Sequence, residues 1–82
     1  MKKIELDARD LEHPVPLQLA LNHLQQMRES EFLYMVHRKN PIPLLEVAKV
    51  KNYSYLSKEI DGVWHILISK NRDINLEELL DV

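Results

Sequence analysis

The side chains in this sequence best suited to chemistry near neutral pH are four histidines, His13, His23, His37 and His65. There is no cysteine, so thiolate nucleophiles, thiolate metal sites and disulfides are excluded. None of the histidines falls in a His-x-x-x-His pair, so no local spacing builds a metal site. His13 stands in Glu12-His13-Pro14-Val15-Pro16-Leu17, between an acid and a proline, and His37 opens His37-Arg38-Lys39-Asn40, the one tight basic cluster. Beside a helix start, such a cluster could hold a phosphate or another anion. Asp7 and Asp10 flank Arg9 and form the only candidate carboxylate pair ahead of the first helix. Aspartates in a loop before a helix serve turns and caps, and Arg9 is expected to pair with one of them. With no nucleophile and no acid–base pair, the expectation is a binding protein rather than an enzyme, and the sequence requires no cofactor.

These residues need elements to position them. Lys3-Ile4-Glu5-Leu6 alternates and predicts a first strand. Leu17, Ala20, Leu21, Leu24 and Met27 recur at helical spacing and predict a helix from about Pro16 to Arg28, with the proline in the first turn. Glu31 to His37 is a nearly continuous apolar run, expected to be a strand covered on both faces. A second short helix follows over about Pro41 to Lys51, with Asn40 as its expected cap and Pro41 at its first position. Tyr53–Ile60 and Val63–Ser69 read as strands joined by Asp61-Gly62, a dipeptide suited to a type I′ hairpin turn. Trp64, Ile66 and Ile68 are assigned to the core face, and His65, Leu67 and Ser69 to the other. Trp64, Tyr53 and Tyr55 are expected to pack in the core and sheet. In the last twelve residues, Leu76, Leu79 and Leu80 form an apolar stripe behind Asn75, with Glu78 at capping-box spacing.

The predicted order β-α-β-α-β-β is an α+β fold, a two-layer α/β sandwich. It has a four-stranded mixed sheet, two helices on one face and a short C-terminal helix. Residues 1–70 form the domain and 71–82 a tail. This topology gathers His13, His37 and His65 toward one end of the molecule, where the carboxyl ends of parallel strands commonly bind ligands. His23, mid-helix, is expected elsewhere. If a metal binds, its ligands are expected to be His13, His37 and His65, with Glu12, Asp10 or Asp61 in support.

Leu6, Asp7, Arg9, Leu11, Pro14 and Pro16 match the opening pattern of the TusA/SirA-type sulfur-carrier proteins, which this chain resembles over about residues 4–69. Asp61 to Ile68 is similar to that family's last hairpin. The resemblance implies the same β-α-β-α-β-β fold, a fold also similar to the C-terminal domain of a bacterial translation initiation factor. The family's persulfide-bearing cysteine aligns with His13, and imidazole cannot carry a persulfide. A prokaryotic offshoot of the group with His-Pro in place of Cys-Pro is more similar. Its second histidine motif corresponds to His37, Pro41, Pro43 and Leu44, here with one extra residue before Pro41, and its last-strand tryptophan to Trp64.

The net charge of −2 supplies no general attraction to nucleic acid, and no basic stripe appears. The N-terminus has two lysines without an apolar segment behind them, and no apolar run is long enough for a membrane span, so a cytoplasmic location is expected. The expected function is a binding or adaptor module using an edge made of Arg9, Glu12, His13, His37, Arg38 and Asn40. The alternative is a metal or redox-cofactor site at the same histidines. The expected partner is another protein, or a second copy meeting the open sheet face or the C-terminal helix; the C-terminal leucine stripe is itself a natural cover for that face, and which of the two covers it is left open.

Overall fold

A computed structural model describes residues 1–81. The strands are β1 (Lys2–Asp7), β2 (Glu31–His37), β3 (Ser54–Ile60) and β4 (Val63–Ser69), and the helices are α1 (Val15–Gln26) and α2 (Ile42–Val50). The strands form one mixed sheet in the order β1-β2-β4-β3. β1 runs parallel to β2, while β4 runs antiparallel to both of its neighbours. The last strand of the sequence is therefore an inner strand of the sheet.

Strand alternation divides the apolar residues between two cores. On one face Leu33 and Met35 of β2 and Ile66 and Ile68 of β4 meet Ala20, Leu24, Leu44 and Ala48 of the helices. Ile4, Leu6, Tyr53 and Trp64 pack around that cluster. On the other face Phe32, Tyr34 and Leu67 are covered by Leu76, with Ile74, Leu79 and Leu80 beside it. β2 is thus buried on both sides, as its continuous apolar run requires. The chain's own tail covers the face whose exposure motivated a second copy or partner there.

Local expectations are met in part. Pro41, not Asn40, is the N-cap of α2, and no side chain caps that helix. The Asn40 carboxamide instead accepts a hydrogen bond from the Ser57 hydroxyl of β3 at 2.7 Å. α1 begins at Val15 with Pro14 as its N-cap, so Pro16 does fall in the first turn. The expected short C-terminal helix is present as a 3-10 turn, Leu76–Leu79. Asn75 caps it by accepting from the Glu77 N–H at 3.2 Å, but Glu78 reaches the Asn75 side chain and not its backbone. Tyr55 departs from the packing expectation and is exposed on the edge strand β3.

Two tight connections follow from residues able to adopt positive φ. Asp61 and Gly62 have φ of 52° and 82°, as a type I′ turn needs. Asn52 has φ of 59° and ends α2. Its N–H donates to Lys49 and the next N–H, of Tyr53, donates to Ala48, which is the Schellman arrangement. At the end of α1 the Lys70 ammonium donates to the Met27 carbonyl at 2.7 Å, placing a cation where the helix dipole favours one.

Candidate functional site

The loop after β1 and the loop after β2 meet at the carboxyl ends of the two parallel strands. The Ala8 N–H donates to Val36 at 2.8 Å, tying the first loop to β2. Ala8 itself is fully buried. Its carbonyl accepts from His37 Nδ1 at 3.0 Å. A carbonyl oxygen can only accept, so Nδ1 carries the proton and Nε2 is left for other partners. The second loop is held in turn by Arg38, whose Nε donates to the Arg9 carbonyl at 2.9 Å.

Between these loops lies an open cleft of about 580 Å³ lined by Arg9 to His13 and by His37, Arg38 and Lys39. His13 and His37 also line an adjoining recess of about 130 Å³, with Lys39 and Asn40 and with Pro16 and Leu44 from the helix starts. Both α1 and α2 begin here, and neither has an acidic residue in its first turn. Arg9, Glu12, His13, His37, Arg38 and Asn40 are therefore all brought to one edge.

Charges in the cleft are partly spoken for. Arg9 grips Asp7 through two hydrogen bonds, Nε at 3.0 Å and Nη2 at 2.8 Å, and its backbone N–H donates to the same carboxylate at 3.1 Å. The guanidinium, seconded by the backbone N–H, lowers the Asp7 carboxyl to about 2. Asp7 correspondingly raises Arg9 above its ordinary value. Arg38 Nη2 lies 3.4 Å from Asp10, a contact between two exposed groups. Asp7 and Asp10 are thus each engaged by an arginine, which is the turn-and-pairing role expected of them.

His65 is not part of this cleft. It pairs with Val36, one residue off the His37–Trp64 pair, and that single step puts it on the tail face. There Tyr34 Oη lies 2.8 Å from His65 Nδ1 and accepts from the Asp81 N–H at 3.0 Å. The rings meet edge-on with centroids 5.8 Å apart. With the tyrosine oxygen already accepting, its own proton points naturally to His65 Nδ1. Lys3 pairs with Asp81 and sits 5.0 Å above the Tyr34 ring. Sequence reading missed this network because it joins three distant segments. The three-histidine set does not assemble, and among the described residues no three His, Asp or Glu side chains converge as metal ligands.

A small α+β domain with a two-helix layer and a cleft at its parallel-strand ends is the class that fold and site define. Within that class the chain belongs to the family of uncharacterized conserved proteins DUF2249, which it matches over residues 5–70. That span contains both cleft histidines and ends just after β4. Neither the curated proteins nor the solved structures contain a match to the chain. No helix among the described residues is long and apolar enough to cross a membrane.

Proposed function

We propose that this chain is a non-catalytic binding module that engages a partner protein at the His13–His37 cleft. We read it as a TusA-like domain, working in the cytoplasm, in which the position of the sulfur-carrying cysteine holds His13. The observation that carries the reading is the clamp on His37. Its Nδ1 is committed to the buried Ala8 carbonyl, so the ring is oriented and its other nitrogen is left on the cleft that His13 also lines. An oriented polar group at the carboxyl ends of parallel strands is what recognition by an open α/β sheet uses.

The test is affinity capture from the native organism with wild type, His13→Ala, His37→Ala and His65→Ala, each first checked for an unchanged thermal transition. A specific partner retained by wild type and His65→Ala, and lost with the two cleft variants, is the expected result. Capture indifferent to both cleft histidines sinks the reading.

A further inference from the structure

The recess beside the cleft has a one-sided chemistry. Its polar lining is His13, His37, Lys39 and Asn40, and it contains no carboxylate. Lys39 forms no ion pair among the described residues, unlike Arg9 and Arg38 nearby. Asn40 has its oxygen occupied by the Ser57 hydroxyl, which leaves the amide NH2 as its unused group. Around these groups Pro16, Leu17, Pro41, Pro43 and Leu44 supply an apolar wall that excludes water from one side. The volume of about 130 Å³ suits a single small group rather than a whole cofactor.

We propose that this recess binds one oxyanion group, a carboxylate or a phosphoryl group presented by the partner. The inference rests on the binding-module reading and names what that module recognises. His37 is the centre of the site. In its imidazolium form Nδ1–H stays on the Ala8 carbonyl and Nε2–H donates to the anion, so protonation requires no rearrangement of the ring. Lys39 supplies the uncompensated charge and Asn40 a neutral donor. The charged and titratable groups facing His37 are His13, Arg9, Asp10 and Glu12 from the first loop and Arg38 and Lys39 from its own. α2 contributes none in its first turn. Asp10 is drawn off by Arg38, which leaves Glu12 as the one acid in the wider cleft without an arginine partner.

The experiment is an amide-resolved NMR titration of the full chain with sodium sulfate and, separately, sodium acetate, at constant ionic strength. Both probes keep their charge between about pH 6 and about pH 8, so a change in affinity over that range comes from the protein. Expected are saturable shifts confined to the two loops and the starts of α1 and α2, with affinity about tenfold lower at the higher pH. Lys39→Ala weakens binding several-fold at both pH values, His37→Ala removes the pH dependence, and His65→Ala changes neither. A stronger response to sulfate assigns the recess to phosphoryl groups, and a stronger response to acetate assigns it to carboxylates. Shifts that never saturate, or a pH dependence intact in His37→Ala, overturn the proposal. If His37→Ala does not fold, Lys39→Ala decides: it removes an exposed side chain, and unchanged affinity in it likewise overturns the proposal. Anion binding without histidine-dependent capture fails the partner reading alone, and the converse fails the oxyanion alone.

Discussion

At the scale of single residues, the Asp7–Arg9 pair gives a measurable signature. The folded Asp7 carboxyl is depressed to about 2. A depressed carboxylate stabilises the folded state above its unfolded value and loses that contribution as pH falls through the folded one. An NMR titration of the Asp7 side chain should therefore find a midpoint near 2, moving up toward the ordinary carboxylate range in Arg9→Gln. The ratio of stability at neutral pH to that in strong acid should shrink in Asp7→Asn. On the same face of the sheet, Tyr34→Phe removes a hydroxyl that bridges His65 and the Asp81 N–H. The expected cost is about 1 kcal/mol by chemical denaturation, with faster amide exchange concentrated in the tail. The pairing of Arg9 with an aspartate was legible in the sequence, because residues two apart in a turn must be close. The His65–Tyr34 contact was not, because it depends on which strand lies beside β2. His37's bond to Ala8 escaped for the same reason.

At the scale of elements, turn and cap chemistry was the most readable layer, and its exceptions are instructive. Asp61-Gly62 turns where its residue types say it must. A Cβ added at Gly62 meets nothing within 4 Å, so Gly62→Ala tests backbone strain free of any clash. Its expected cost is about 1 kcal/mol, and Gly62→Asn should recover part of it, measured as the shift in denaturation midpoint. Asn40 looked like a helix cap because it precedes Pro41. It was instead recruited by Ser57, and that hydrogen bond between distant segments cannot be seen in local spacing. The Schellman end of α2 at Asn52 was likewise overlooked, because asparagine signals a left-handed residue less strongly than glycine. In the tail, the leucine stripe was readable but its helix type was not. A four-residue turn pressed on a sheet is held by its contacts more than by helical propensity. Leu76 is 6% exposed, and Leu76→Ala should cost about 2–3 kcal/mol, with dye binding reporting the uncovered Phe32 and Leu67.

At the scale of the whole molecule, the order of elements and the two-layer plan were legible because each strand and helix has its own apolar period. What the sequence left open was the cover of the second sheet face, where tail and partner compete for the same apolar residues. In the structure Ile74 to Leu80 provide it. Deleting residues 73–82 should expose that face and produce concentration-dependent association in sedimentation experiments, with the full chain remaining monomeric under the same conditions. The candidate site was legible as a set of residues and as an edge. Its division into a cleft pair and a separate His65 was legible in strand alternation, which puts His65 on the face opposite Trp64 although the topology gathers all three histidines at one end. The sheet order β1-β2-β4-β3 also has a temporal side. During synthesis β1, β2 and β3 leave the ribosome before the strand that joins β3 to the other two, so the nascent chain cannot close its sheet until Ser69 has been made.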